Sequence, residues 1–347
     1  MSRALVLATL LCACGARTEL SLGDAGPPFA TFPCRWSYGE PLELGVSSGP
    51  ISEVSGAAHG TREQAAIVAQ VLGGSIGGVS TLSLSPRRLA GDPPGPGRAL
   101  SGSDGYLLVS ERACRVLIVD SELSPRGPLF DDPSPCAASQ TAVDRAEVFL
   151  LESGQGLSLS SIRGERREPL FLRAARYDGA EIVRLGPGRG FALLRSGARA
   201  SLARFGPEGE EAIDIEPVGD ASIAQDRLRG GVVLLREEGD GTLTFERYEA
   251  EGFLGAEVLM TRIAAPGRPL GPVVTNETEA LVPLSGGVVA YLPLAATAPR
   301  YVEPLPEPDI SRMHVFLRPG SSAGGVAYVH RDARGEHLVF RALVCNR

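Results

Sequence analysis

An all-β fold is predicted by two features of the sequence. From residue 34 to residue 347, short apolar runs of strand length alternate with clusters of Gly, Pro, Asp and Ser, which favour turns. One apolar run also recurs along the chain, most often at intervals of about 40 residues. We begin its copies at Ile67, Tyr106, Val148, Phe191, Val232, Val288 and Val326. Only the segment 61–72 shows a weak helical pattern, so helix content should be minimal.

The repeat length and strand content together predict a β-propeller. Blades of this fold repeat every 40 to 45 residues or so, whereas helical repeats of that length would show 3.6-residue periodicity. In each copy an apolar strand comes first and an alternating strand such as 243–248 follows, so the first should lie deeper in its sheet. Tight turns are indicated by Gly206-Pro207-Glu208-Gly209 and by Asp240-Gly241. Seven copies predict seven blades of about four strands. One longer interval, before the copy at Val288, holds an insertion near 264–278 or conceals a further blade.

The cysteines suggest how the ring closes. Apart from two near the N-terminus, the chain has four cysteines, an even number that favours two disulfides with three possible connectivities. Cys34 begins the first strand after the N-terminal segment and Cys345 ends the last strand. We predict that the N-terminal strand completes the last blade and that these two cysteines are bonded there. Cys114 and Cys136 would then pair within one blade; four buried free thiols are the alternative.

The N-terminus has the pattern of a secretory signal: one Arg, a short apolar stretch and small residues. Leu11 and Ala13 stand at positions −3 and −1 before Cys14, which resembles the bacterial lipobox. That resemblance implies removal of residues 1–13 and attachment of a lipid to Cys14. An ordinary cleaved signal is the alternative. Residues 14–33 have the composition of a flexible tether, and 34–347 form the predicted propeller domain.

Charge and hydropathy restrict the partners. The net charge of −7 argues against binding of nucleic acid or of anionic membranes by the body of the protein. No later segment has the roughly 18 consecutive apolar residues of a transmembrane helix. We therefore expect an exported protein that contacts a bacterial membrane, expected to be the outer membrane, through its N-terminal lipid alone.

Four motifs resemble sites of chemistry, and none has the sequence context that such a site requires. Residues 45–49 match GxSxG, but Pro50 follows and no helix is indicated, so a loop is expected. Residues 186–190 are Gly-rich but precede a strand and predict a turn. The acidic pairs Asp131-Asp132 and Glu237-Glu238 should be solvated. Three histidines fall in the last blade without an acidic partner at fixed spacing, so no metal site is predicted: His314, His330 and His337. No catalytic residue, metal ligand or cofactor is predicted.

The body resembles bacterial propeller lipoproteins in its repeat length, lipobox and tether. It has no Trp-Asp dipeptides, its only tryptophan is Trp36, and its glycine pairs, as at 230–231, precede the apolar strand, where kelch repeats carry theirs after it. No family's functional residues can therefore be transferred to it.

The resemblance and the missing motifs predict a non-enzymatic binding or scaffolding module of the cell envelope, acting on an envelope protein or an extracellular ligand. Two alternatives remain: a propeller-type hydrolase or lyase with its active site at the funnel mouth, and an accessory factor in outer-membrane protein assembly. Converging His and carboxylate side chains in a deep funnel would favour an enzyme, whereas a flat apolar or Arg-rich patch would favour a protein partner.

Overall fold

The structure of the chain is a computed structural model. It describes residues 34–346 except 96, 103, 128–129, 141–145, 153–155, 162–166, 171–176, 187–188, 198, 216–219, 228, 239, 251–258, 277, 295–298, 319–320 and 322. The predicted signal, the tether and Cys14 lie outside the described residues. Within the described part of the chain the elements are strands, and no helix there is long and apolar enough to cross a bilayer.

The strands form seven antiparallel sheets, which we call blades 1 to 7 in chain order. Blades 1 to 3 contain β3 (Glu53–Ala58), β4 (Gln64–Val71), β5 (Gly74–Thr81), β6 (Arg88–Ala90); β7 (Arg98–Ser101), β8 (Gly105–Ser110), β9 (Arg115–Asp120), β10 (Phe130–Asp131); β11 (Cys136–Gln140), β12 (Ala146–Glu152), β13 (Gly156–Ser161) and β14 (Arg167–Leu170). Blades 4 to 6 contain β15 (Gly179–Gly186), β16 (Arg189–Ser196), β17 (Arg199–Gly206), β18 (Gly209–Ile215); β19 (Ala221–Asp226), β20 (Gly231–Glu237), β21 (Thr242–Tyr248), β22 (Leu259–Ala264); β23 (Val274–Thr275), β24 (Glu279–Leu284), β25 (Val288–Pro293) and β26 (Arg300–Tyr301). Blade 7 contains β27 (Arg312–Leu317), β28 (Ala323–Asp332), β29 (Gly335–Asn346), β1 (Arg35–Tyr38) and β2 (Leu42–Ser47).

The predicted seven-bladed propeller is confirmed. Each of blades 1 to 6 is a meander whose four strands are paired in chain order. The apolar runs that define the repeat mostly form the second strand, as in β16 and β20, where the central residues of the run are buried. Apolar clusters then fill the spaces between adjacent blades; one combines Phe191 and Leu193 of blade 4 with Ile223 and Leu234 of blade 5.

The N-terminal strand closes the ring, as predicted. Both β1 and β2 pair with β29, and together they supply the outer strand of blade 7. The Cys34–Cys345 disulfide joins the two ends of the propeller where β1 begins, with a Cα–Cα distance of 5.1 Å.

The second disulfide is confirmed, but its predicted place was wrong. Cys114 lies in the turn after β8 in blade 2, and Cys136 is the first residue of β11 in blade 3, so the bond links two blades. The apolar run that defines the repeat in the sequence forms the second strand in most blades. A repeat unit that begins at a second strand ends with the first strand of the next blade. The sequence therefore places Cys114 and Cys136 in the same unit, although their disulfide links two blades.

Two further expectations need correction. Val288 begins β25, the third strand of blade 6, whereas the run equivalent to the other copies is β24. The long interval therefore hides no blade among the described residues, and it looks long mainly because Val288 lies one strand later in its blade than the other copies do. Residues 265–273, where the insertion is expected, approach the first-strand side of β24 through a Pro269–Leu284 bridge. The weakly helical segment 61–72 contains strand β4, because its Ala and Val side chains are buried on both faces of blade 1.

Candidate functional site

A polar cavity of about 740 Å³ opens where the first strands of the blades begin. All seven blades line it, so it lies on the axis of the propeller. Its charged and titratable lining residues are Glu53, Arg98, Glu111, Glu181, Arg195, Asp220, Arg268, Arg312 and His314. The cavity is the candidate functional site.

One Arg–Glu pair lines the cavity at the joint of blades 2 and 3. Arg98, the first residue of β7, lies 2.8 Å from the Glu111 carboxylate and also donates to the Ala138 carbonyl at 2.8 Å. Glu111 in turn accepts a hydrogen bond from the Ala138 amide at 3.3 Å. The pair is therefore neutralised internally and binds the first strand of the next blade.

The same arrangement recurs at the joint of blades 4 and 5. Arg195 pairs with Glu181 and donates to the Ala221 carbonyl at 2.6 Å, while Glu181 accepts from the Ile223 amide at 2.9 Å. Each pair uses one residue of a first strand and one at or just past the end of a second strand. Since an Arg and a Glu at these places can satisfy both a carbonyl and an amide of the neighbouring strand, they hold adjacent blades in register.

Serine side chains connect two other joints. Ser55 Oγ of β3 accepts from the Ala99 amide in blade 2 at 2.9 Å, and Ser222 Oγ of β19 accepts from the Val273 amide in blade 6 at 2.9 Å. Both serines are buried and occupy early positions in a first strand. The cavity wall is thus held by side-chain contacts between blades as well as by the strand pairing within them.

Four exposed charges at the cavity mouth differ from these neutralised pairs. Within the described part of the chain, Asp220, Arg268 and Arg312 form no ion pair, and Glu53 accepts only the Gln70 amide nitrogen at 2.8 Å. Arg312 uses Nε to donate to the Ile51 carbonyl at 2.8 Å, and its terminal nitrogens have no carboxylate partner among the described residues. Blades 5, 6, 7 and 1 supply these charges in turn, so their order around the mouth is acidic, basic, basic, acidic.

His314 lines the cavity from β27 of blade 7. Burial, followed by the positive charge of Arg98, lowers its pKa to about 4, and a hydrogen bond with the Gly56 backbone opposes this only in part. The imidazole is therefore neutral at physiological pH. The pKa of Glu111 is raised, because burial outweighs the stabilising contacts of its carboxylate with Arg98 and the Ala138 amide.

The other two candidate histidines lie elsewhere. His330 and His337 stack at 4.9 Å between ring centroids on neighbouring strands β28 and β29. The expectation that they lack an acidic partner was wrong for His337, whose ring nitrogens lie 2.7 Å from Glu43 Oε2 and 2.7 Å from Asp332 Oδ1. Glu43 lies on β2 and contacts His337 on the paired strand β29, so the contact joins residues far apart in sequence. Among the described residues, no group of three His, Cys, Asp or Glu side chains converges as a metal site.

The remaining motifs have structural roles. The GxSxG match spans the end of β2 and the loop that follows it, as predicted. Residues 186–190 connect β15 to β16, with Gly186 paired to Arg189, although 187–188 lie outside the described residues. Asp131 pairs with Arg115 at 3.0 Å and Glu238 accepts from Thr244 at 2.9 Å, so these two acids are not merely solvated.

The sequence alone predicts none of the charged residues of the cavity as functional. Their signal is a charge at or before the start of a first strand, as at Arg98, Asp220 and Arg312. That signal can be used only where the first strands are delimited, and the recurring apolar runs of the sequence mark the second strands of most blades.

Comparison with known proteins identifies the fold alone. No family model and no curated protein matches the chain. Similar solved structures include the Pan2 WD40 domain of Neurospora crassa, with 12% identity, a TM-score of 0.53 and coverage of 87% of this chain and 95% of that one. YCF48 from Cyanidioschyzon merolae has 11% identity, a TM-score of 0.54 and coverage of 86% and 98%. An oligogalacturonate lyase from Vibrio parahaemolyticus has 11% identity, a TM-score of 0.52 and coverage of 88% and 98%. The propeller fold is shared with all three.

Proposed function

We propose that this protein is an exported binding module, anchored to a bacterial membrane by a lipid on Cys14, that holds a ligand in its axial cavity. The cavity carries the proposal: residues from all seven blades line one concave site of about 740 Å³, within the range of small-ligand pockets. The two disulfides support export, because such bonds persist in oxidising compartments.

The cavity wall favours binding over catalysis. Glu111 and Glu181 each form an ion pair with an arginine and accept a hydrogen bond from a backbone amide of the next blade. These carboxylates are fixed as parts of the wall, which disfavours their use as proton carriers. A wall that is ordered before the ligand arrives reduces the entropy lost on binding.

Two glycines of one strand allow a matched test of cavity binding. Gly179 lines the cavity at the start of β15 and Gly186 ends the same strand; an added Cβ meets nothing within 4 Å at either position. Gly179→Trp should fill part of the cavity, and Gly186→Trp should place the same side chain elsewhere.

Melting temperatures should be measured with amino acids, short peptides, monosaccharides, monocarboxylates and inorganic phosphate. At least one class should raise the melting temperature of the wild type and Gly186→Trp, with the rise abolished in Gly179→Trp. Equal rises in both variants, or no rise with any probe, would refute cavity binding.

The anchor has its own matched control, since Cys12 stands two residues before Cys14. Metabolic labelling with palmitate should mark the wild type and Cys12→Ser, and Cys14→Ser should lose the label and leave the membrane fraction. Undiminished label in Cys14→Ser would disprove lipid attachment there.

A hydrolase or lyase remains a second candidate, favoured by the neutral His314 in the cavity near Arg98. A neutral imidazole could accept a proton from a bound substrate. Mass spectrometry of the probes after incubation decides this: turnover that His314→Gln abolishes would indicate an enzyme, and unchanged probes that nevertheless bind would indicate a binding module.

A further inference from the structure

Building on the proposed function, we infer that the axial cavity binds a small zwitterion, a molecule with one carboxylate and one ammonium group, as in a short peptide with free termini. The argument rests on the four exposed charges of the cavity mouth, Glu53, Asp220, Arg268 and Arg312, which the internal pairs do not neutralise.

The two arginines supply the anion site. Arg268 and Arg312 stand on the adjacent blades 6 and 7 and line the same cavity. The ion pairs elsewhere in the wall already balance the charges of Arg98 and Arg195 with Glu111 and Glu181, so Arg268 and Arg312 are the cavity arginines whose charge no carboxylate balances among the described residues. The planar fork of guanidinium N–H donors matches a carboxylate, and two of them from adjacent blades can share one such group.

The two acids limit the charge of the ligand. Asp220 and Glu53 flank the arginines on blades 5 and 1, so the mouth holds two positive and two negative charges and has no net charge. A dianion such as a phosphate monoester would be repelled by both carboxylates. A ligand with one negative charge that also carries a cationic donor complements both kinds of group, because an ammonium can bind Asp220 or Glu53 while its carboxylate binds the arginines.

Isothermal titration calorimetry with the tripeptide Ala-Ala-Ala tests this inference directly. The wild type should bind the free peptide, and blocking either terminus, by N-acetylation or by C-amidation, should weaken binding about tenfold or more, the ratio expected from about 1.4 kcal/mol. Inorganic phosphate should bind more weakly than the peptide.

Variants assign each terminus to its site. Arg268→Gln and Arg312→Gln should each weaken binding of Ala-Ala-Ala about tenfold and should bind the C-amidated peptide no less well than the wild type does. Asp220→Asn and Glu53→Gln should instead reduce the advantage of the free over the N-acetylated peptide. Arg227→Gln is the control, because Arg227 is exposed in the turn after β19, at the opposite end of that first strand. All four mouth residues are exposed, so the variants should melt within a few degrees of the wild type.

The outcomes separate this inference from the proposed function. If other probes raise the melting temperature in a manner that Gly179→Trp abolishes, but Ala-Ala-Ala does not bind, the zwitterion is refuted and cavity binding stands. Tighter binding of phosphate, or peptide binding that the arginine variants leave unchanged, also refutes it. If no probe binds in the cavity, both proposals fail.

Discussion

The two disulfides stabilise joints of different kinds. Cys34–Cys345 joins the ends of the propeller within blade 7, across a sequence separation of 311 residues. Cys114–Cys136 joins blade 2 to blade 3, across 22 residues. At the first joint the backbone is paired by β1 and by β2, and Trp36 adds a buried side-chain contact to blade 6. At the second joint, the backbone amide of Cys114 donates to the Ser134 carbonyl and the backbone amide of Cys136 donates to the Glu111 carbonyl. Both cysteines also lie in the apolar cluster between the two blades.

The comparison shows that ring closure needs more support than a joint between consecutive blades. The chain itself continues from blade 2 to blade 3, so these blades stay adjacent even without their disulfide. The outer strand of blade 7 has no such continuity and could separate from β29 at the cost of its ladder hydrogen bonds. Its contacts therefore bring together residues from the two ends of the chain.

The largest effect is expected from removing the closing disulfide. On the chain-entropy model, a loop of 311 residues contributes roughly 6 kcal/mol to the free energy of unfolding. Cys34→Ser/Cys345→Ser should therefore lower the melting temperature by roughly 10 °C. Hydrogen exchange should accelerate more in β1, which adjoins the disulfide, than in β2, which has its own ladder and the contact between Glu43 and His337. Equal acceleration in both strands would show that the outer strand detaches as one unit.

A smaller effect is expected at the joint of blades 2 and 3. The loop of 22 residues corresponds to roughly 3 kcal/mol on the same model, or roughly 5 °C in melting temperature. Cys114→Ser/Cys136→Ser should accelerate exchange at the start of β11 without affecting β1. A larger fall in melting temperature than that of the first double variant would reverse the ranking of the two joints.

The sequence predicted the propeller, its closing strand and both cysteine pairs because those features depend on periodic apolar runs and on position. It misplaced Cys136 and Val288 because neighbouring strands of a blade have similar apolar patterns, so the boundary between units is not visible in one sequence. The cavity groups could not be foreseen. Arg98 and Glu111 meet only when strands fold back on one another, and Trp36 meets Glu279 only when the two ends of the chain close.

A third prediction concerns the contact between Trp36 and Glu279. Trp36 Nε1 donates to Glu279 Oε2 at 2.7 Å, and both residues are buried. Trp36→Phe keeps most of the packing but leaves a buried carboxylate without this donor, which should cost about 2 kcal/mol in urea unfolding. Glu279→Gln is the control, because its amide oxygen can still accept from Trp36; it should cost less, and burial already raises the pKa of Glu279. If the two variants are equally destabilised, the hydrogen bond is not what the first variant loses.

The smallest effect should depend on pH and arises where Glu43 of β2 meets His337. Burial disfavours the charged form of His337, but hydrogen bonds to Glu43 and Asp332 outweigh it and raise its pKa. Both ring nitrogens face carboxylate oxygens, and only the protonated ring can donate to both. Arg334 lies 3.7 Å from Glu43 and 3.4 Å from Asp332, and His330 stacks on the ring. The pKa of Asp332 is lowered to about 2, chiefly by the Arg334 amide and then by His337, so this carboxylate stays ionised above pH 4.

A histidine with a raised pKa stabilises the fold fully below its unfolded pKa of about 6.5, and this contribution disappears as the pH rises through the folded value. The melting temperature of the wild type should therefore exceed that of His337→Gln most at pH 5 to 6, and the difference should shrink toward pH 9. His330→Gln leaves both carboxylate contacts of His337 in place and should keep the pH dependence of the wild type. A difference between the wild type and His337→Gln that is constant from pH 5 to 9 would mean that the ring supports the closing strand by packing alone.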